Sequence, residues 1–258
     1  MPGYIQLCLK TWKQFLPDYE IIVCDYSNLK TYLTRKEIHG FLCKKLPLAQ
    51  QADALRAILL KKYGGIWLDA DTIITSSFIF NKFLKNTPCA IISNDKALYL
   101  AFIYAQKEAK FIEKWGAAVQ KKITFYRRFQ YLLFLKKLFK TKRRELKNWD
   151  YLGNSIVDPL RFSLPNHELL SIDKNQIGAF PELIYETSNI SAKEKYKSFY
   201  FSQNKTLPDD ILEKTKGIIL LHNSWTPSEF KKMSQEEFLK QDIPLAHLLK
   251  TILEIKQQ

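Results

Sequence analysis

The chain has no run of about 18 or more apolar residues, so nothing in it reads as a membrane-spanning helix. Its opening, MPGYIQLCLKTWK, sets a lysine and a tryptophan where a secretory signal needs an unbroken apolar core, and the expected location is cytoplasmic. No C-x-x-C spacing occurs: Cys8, Cys24, Cys43 and Cys89 stand singly, which suggests neither a zinc site nor a disulfide framework and leaves them as small core residues. Internal repeats, low-complexity tracts and linkers are also missing, so residues 1–258 are expected to form a single domain. Acids are scarce. There are 26 Asp and Glu against 40 Lys and Arg, a net charge of +14 that fits nucleic acid, an anionic membrane surface or a phosphate-bearing substrate as partner.

What is present is ample apolar material, 46% of the chain, enough to bury a full core. The basic excess concentrates between Lys121 and Lys147, where eleven Lys or Arg and one acid interleave with Phe125, Phe129, Tyr131, Leu132, Leu135, Leu138 and Phe139. That pattern suits a basic amphipathic helix on an anionic lipid surface. It equally suits a helix that packs its apolar side on the core and turns a solvated basic face outward. A nucleic-acid role is disfavoured, because no recognised nucleic-acid module accompanies the segment.

Periodicity predicts a helix over Tyr4 to Phe15, a break at Pro17 and Asp18, and a short buried strand over Glu20 to Cys24. A second helix is predicted from Ala49 to Tyr63, closed by Gly64 and Gly65, and leads into a buried strand at Ile66 to Leu68. Further expectations are a strand at Cys89 to Ser93, a long helix from Leu98 to Lys121, a late strand at Gly217 to Leu221 and two closing helices from Ser228 onward. Helices alternating with strands predict an α/β fold with a mostly parallel sheet.

The stretch KKYGGIWLDADTII delivers Asp69 and Asp71 directly after an apolar strand. In open α/β sheets ligands gather beyond the carboxyl ends of strands. Residues i and i+2 of an extended segment point the same way, so both carboxylates can approach one point, where a divalent cation relieves their repulsion. Hard oxygen ligands favour Mg²⁺ or Mn²⁺ shared with substrate phosphates. The plain alternative is an Asp-rich turn that caps the next segment. Asp53 and Arg56 lie at i and i+3 on the preceding helix, a spacing that also allows them simply to pair with each other. His222 ends the late strand and is followed by Asn223, Ser224 and Trp225, which makes it a candidate third metal ligand or diphosphate contact; a structural His222 and a core Trp225 are the alternatives.

The segment Gln50 to Phe78, QQADALRAILLKKYGGIWLDADTIITSSF, with its A-D-x-x-R and Y-G-G-h-W-h-D-x-D pattern, resembles the sugar-nucleotide-binding core of the D-x-D glycosyltransferases of family 32 and the related capsular polysaccharide synthesis proteins. CLKTWKQFLPDYEIIVCD, Cys8 to Asp25, resembles the helix and second strand that precede that core, and LLHNSW, Leu220 to Trp225, resembles the segment that closes over the donor. The resemblance implies a GT-A-like fold, a mixed, mostly parallel sheet flanked by helices, lacking the family's first strand, since the chain opens at Met1-Pro2-Gly3-Tyr4. Within the domain it implies a donor-binding core over about 4–95, an acceptor-side and basic region over about 96–165 and a closing segment over about 166–258. The implied activity is metal-dependent glycosyl transfer, with retention, from a nucleoside diphosphate sugar to a saccharide or lipid-linked saccharide acceptor in surface polysaccharide synthesis. Asp53, Arg56 and Asp69 would act at the sugar; Asp71, Ser224 and Trp225 would join them in holding the donor; Asp69, Asp71 and His222 would hold Mn²⁺ or Mg²⁺.

WDYLGNSIVDPL, Trp149 to Leu160, loosely resembles an acceptor-side segment, and Asn94, Asp95, Asn154 and Asp158 are further polar candidates or plain turn and cap residues. A phosphatase of the haloacid dehalogenase type would also set a D-x-D after an apolar strand, with the first Asp as nucleophile, but Ile73 stands where that family expects Thr or Val. A degenerate, non-catalytic transferase homologue bound peripherally at the inner membrane face is a third reading.

Overall fold

The computed structural model describes residues 1–84, 87–137, 150–165 and 167–254. In chain order, α1 (Gly3–Phe15) is followed by α2 (Leu29–Tyr32), α3 (Arg35–Phe41) and α4 (Leu48–Tyr63), then by strands β1 (Gly65–Leu68) and β2 (Thr72–Ile74) and by α5 (Phe78–Phe83). A hairpin of β3 (Cys89–Ser93) and β4 (Leu98–Ala105) leads to the long α6 (Lys110–Lys137), α7 (Asn154–Phe162), β5 (Leu170–Asp173), α8 (Pro181–Tyr185), α9 (Ala192–Phe201) and α10 (Ile211–Lys214). Strand β6 (Ile218–Leu220) precedes α11 (Ser228–Lys232), α12 (Gln235–Leu239) and α13 (Pro244–Ile252).

The residues read as one domain distribute over two compact units, interleaved in sequence: Met1–Ile22, Leu68–Lys85 and Asp173–Gln258 form one, Val23–Trp67 and Asn86–Ile172 the other. Because the chain passes repeatedly between the units, no single composition shift marks a boundary.

The first unit is built on a two-stranded sheet in which β2 and β6 pair antiparallel, Thr72 opposite Leu220. Helix α1 anchors β2 from one side: the Trp12 indole N–H donates to the Thr72 carbonyl at 2.7 Å, and the Ile74 N–H donates to the Thr11 hydroxyl at 3.0 Å. Around these lies a core rich in aromatic rings, with Tyr4, Tyr196, Tyr200 and Phe238 fully buried beside Leu7, Cys8, Ile219 and Leu249. Aromatic pairs in T-shaped or tilted contact each add about 0.5–1.5 kcal/mol beyond their buried area.

The second unit holds a four-stranded sheet in the order β1-β4-β3-β5, with β3 and β4 paired antiparallel through a register shift at Ile91 and Ile92. Its core joins α4, α6, β3 and β4 through Ala54, Ala57, Leu60, Ile103, Phe111 and Trp115. Helix α4 ends where expected: the Gly64 N–H donates to Leu60 O at 2.8 Å, and Gly64 and Gly65 take φ of 69° and 92°, a region that disfavours other residues. A Cβ on Gly64 would also lie 2.7 Å from the Lys107 nitrogen, so the turn excludes side chains twice over.

The mixed α/β class with flanking helices is as expected, but the balance is not. Both pairings whose register is described above run antiparallel, so the expectation of a mostly parallel sheet is corrected. Its cause is a misassigned element: Leu98 to Ala105 is strand β4, not the start of a helix that runs to Lys121. Leu98, Leu100 and Phe102 are buried at alternate positions, and Asn94 closes the hairpin by accepting from the Lys96 and Ala97 N–H groups. Glu20 to Cys24 is likewise not a strand; it is irregular, without ladder partners, with Ile22 43% and Val23 42% exposed. Three helices, rather than two, lie beyond Ser228 among the described residues. Cys8, Cys43 and Cys89 are buried and Cys24 is half-buried, all as free thiols. No helix among the described residues is long and apolar enough to cross a membrane. The part of the basic run beyond Lys137, and Trp149, lie outside the described residues.

Candidate functional site

Asp69 and Asp71 stand at the turn between β1 and β2, and the chain is not extended there: the Thr72 N–H donates to Asp69 O at 3.0 Å, closing a turn over residues 70 and 71. The alternation argument for a shared direction therefore does not hold, yet the two acids still sense each other. Loss of solvent pushes the Asp71 carboxyl up from its ordinary 3.8 to about 6, and the charge of Asp69 pushes the same way. Opposing both, the Asn223 N–H donates to Asp71 Oδ2 at 2.7 Å. A desolvated carboxylate beside a second one is the donor set a hard divalent cation suits, because the cation removes the repulsion that keeps the pair costly.

The loop after β6 is held against this turn from within the same unit. Leu221 N–H donates to Asp71 O at 3.3 Å, continuing the β2–β6 ladder by one residue. The Tyr4 hydroxyl donates to Asn223 Oδ1 at 2.6 Å, so α1 fixes Asn223 and Asn223 fixes the Asp71 carboxylate. Tyr4 and the Asn223 backbone are positioning groups that sequence reasoning passed over. Tyr4 looks like one more apolar position of an amphipathic helix, and its partner is 219 residues away.

His222 is placed differently from expectation. Its ring lies 3.9 Å from the Trp225 ring, stacks on Phe180 at 5.6 Å and meets the edge of Tyr196 at 5.4 Å. Burial pushes its pKa down to about 4, so the imidazole is neutral and packed as an aromatic. Among the described residues no three His, Cys, Asp or Glu side chains gather closely enough to hold a metal ion, so the set Asp69, Asp71 and His222 does not assemble. Trp225 is half-buried against the same rings, and Ser224 is exposed beside it.

Asp53 and Arg56 belong to the second unit. They are 8% and 6% exposed and form an ion pair at 3.3 Å. Arg56 Nη1 also donates to Leu100 O at 3.0 Å, and the guanidinium lies over the Trp67 ring at 5.2 Å. On the other side Gly153, the residue before α7, backs onto Asp53 so closely that a Cβ there would fall 2.6 Å from Asp53 Oδ2. The i,i+3 spacing is thus a buried, multiply held pair, and removal of either partner alone would strand a buried charge.

Of the other polar candidates, Asn94 is the turn residue of the β3–β4 hairpin, Asn154 donates to Leu98 O at 2.8 Å, and Asp158 accepts from the Leu98 N–H at 3.0 Å. Asn94 has the turn role, whereas Asn154 and Asp158 tie α7 to the backbone of Leu98 at the start of β4. Asp95 is exposed in the hairpin turn.

A family model described as "Capsular polysaccharide synthesis protein" matches residues 1–152, more than half of the 258 and a stretch that contains Asp53, Arg56, Asp69 and Asp71. The chain belongs to the capsular polysaccharide synthesis protein family. Among solved structures, "PaToxG Glycosyltransferase" is similar to this family member at 17% identity and a TM-score of 0.42, over 63% of this chain and 63% of that one. The chain thus spans under two thirds of the length of that structure. A comparison with curated proteins gives no match.

Proposed function

We propose that this capsular polysaccharide synthesis family member is a glycosyltransferase that moves a sugar from a nucleoside diphosphate sugar to a saccharide acceptor. The observation that carries the reading is the desolvated Asp71 carboxylate beside Asp69, inside the segment matched by the family. Asp69 and Asp71 would hold Mn²⁺ or Mg²⁺, which supplies Lewis-acid stabilisation of the charge growing on a departing diphosphate. The chain's own contribution is placement. Asn223 aims the Asp71 carboxylate, Tyr4 locks Asn223, and Ser224 and Trp225 present an exposed hydroxyl and a half-buried ring on the same loop. In the second unit, Asp53 and Arg56 form a fixed, buried pair, and a role for them in orienting the sugar is assigned on the resemblance alone. The reaction is assigned retention at the anomeric carbon on the resemblance alone. A phosphatase reading leaves the family match unaccounted for.

The test is titration of the purified chain with a panel of nucleotide sugars, with and without Mn²⁺, alongside Asp71→Asn and with p-nitrophenyl phosphate as control. Metal-dependent binding or slow hydrolysis of one donor, lost in Asp71→Asn, is the expected result, and the hydrolysis would also exclude a non-catalytic homologue. Turnover of the phosphate ester alone would overturn it, as would donor binding that ignores both the metal and Asp71.

A further inference from the structure

Helix α6 carries two apolar stripes, and the core uses only one of them. The inner stripe, Trp115, Val119, Ile123 and Tyr126, is 7% exposed or less and packs with α4 and α7; Trp115 donates its indole N–H to Leu152 O at 2.9 Å. The outer stripe is different. Phe125 is 65% and Tyr131 64% exposed, and Phe125 stacks on the half-exposed Phe129 at 6.4 Å and 10°. The choice left open by the sequence is thereby narrowed: Phe125 and Tyr131 do not belong to the core-packed side.

Exposed Lys121 and Arg128 flank these rings, and at about 100° per residue Lys121, Phe125, Arg128 and Tyr131 fall within roughly one third of the helix circumference. Two neighbouring bases are engaged within the unit: Lys122 Nζ donates to Tyr151 O at 2.7 Å and Arg127 to Leu42 O at 2.9 Å. From Lys121 to Lys137 the helix has six Lys or Arg and no acid, in a chain of net charge +14. Large exposed rings among basic side chains form a face of mixed character. Water solvates the charges but not the rings, a phosphate-rich polar layer over hydrocarbon satisfies both, and tyrosine suits that boundary because one end of its ring is polar.

We propose that the outer face of α6 between Lys121 and Tyr131 docks the protein on an anionic lipid bilayer, with Phe125 and Tyr131 entering the headgroup layer and Lys121 and Arg128 meeting lipid phosphates. The occupant follows from charge: a basic face without an acid is complementary to an anionic surface, whereas a second copy of the same face would repel it. The inference is independent of the donor chemistry, so it stands or falls separately from the transferase reading.

The experiment is co-sedimentation of the full chain with vesicles of phosphatidylcholine alone and of phosphatidylcholine and phosphatidylglycerol in equal parts. Preferential binding to the anionic vesicles is expected. Lys121→Gln with Arg128→Gln should lower that partitioning about 25-fold, at roughly fivefold per charge removed. Phe125→Ser with Tyr131→Ser should lower it by about tenfold or more while leaving the charge unchanged. Both pairs are exposed, so an unchanged unfolding midpoint checks that the fold survives. Equal binding to neutral and anionic vesicles, or binding indifferent to either pair, would overturn the proposal. So would an oligonucleotide taken up through the same four residues while vesicles are ignored, or a dimer in light scattering that Phe125→Ser dissociates.

Discussion

Glu182, in the first turn of α8, is 1% exposed, and its carboxylate accepts from the Tyr200 hydroxyl at 3.3 Å. Loss of solvent outweighs a backbone hydrogen bond at Glu182 itself, the Tyr200 bond and the charge of Lys174, and pushes the carboxyl from an ordinary 4.5 up to about 7. The folded protein therefore keeps a proton on Glu182 that the unfolded chain releases. Stability from this group is fully present below 4.5, falls as pH rises, and is lost once pH passes about 7. At 1.36 kcal/mol for each unit of pKa difference, the fall amounts to about 3 kcal/mol. Glutamine has nearly the shape of the protonated acid and cannot ionise, so Glu182→Gln should be close to neutral at roughly pH 4.5 and more stable than the parent by up to about 3 kcal/mol at roughly pH 8. Urea unfolding of both proteins across that range measures the difference, and all other titrating groups cancel in it. Parallel stability curves for parent and variant would refute the reasoning, since they would mean that Glu182 ionises in the folded state as readily as in the unfolded one.

Asp71→Asn should abolish metal-dependent donor binding and, by removing a desolvated charge beside Asp69, raise the melting temperature above neutral pH by about 6–12 °C, with little gain near pH 3.8; a melting temperature lowered at every pH would show that the carboxylate is structural. Gly153→Ala would thrust a methyl group to 2.6 Å from Asp53 Oδ2, and the required shift should cost about 1–3 kcal/mol in urea unfolding while weakening donor binding through the displaced Asp53–Arg56 pair. Tyr4→Phe keeps the buried ring but leaves Asn223 Oδ1 without its donor, so a loss of about 1 kcal/mol together with weaker Mn²⁺ binding is expected; a stability loss with unchanged metal affinity would sever Tyr4 from the site.

How far the sequence announces this structure depends on the range of the contacts concerned. Helix α4, its glycine stop and the strand that follows were readable because every signal lies within one turn of the residue it governs, although Ile66 to Leu68 are half-buried and not buried as expected. Strand β3 was readable for the same reason. Its partner β4 was not: Leu98 to Ala105 is almost wholly apolar, a composition that suits a buried strand or a buried helix, and only pairing with β3 decides between them. Glu20 to Cys24 fails in the opposite way, having strand composition without a ladder. At the candidate site the acids themselves were legible and their surroundings were not. Nothing local in the sequence tells that Asp53 and Arg56 are buried together against Gly153, or that the Tyr4 hydroxyl fixes Asn223. His222 was read from its place after a strand, and its ring packing depends on Phe180 and Tyr196, which lie 42 and 26 residues before it in the chain.

The interleaving of the two units also sets an order of events on the ribosome. Residues 23–67 and 86–172 are complete as soon as the second unit has been synthesised, whereas α1 must wait for α12, α13 and Asn223. At about 5–20 residues per second, the buried face of α1, Tyr4, Leu7 and Cys8, emerges roughly ten to fifty seconds before its last partners exist. Once β5 has been made, the nascent chain carries a finished four-stranded sheet while α1 is still uncovered, and a chaperone that binds short apolar segments would find its target between Gly3 and Phe15.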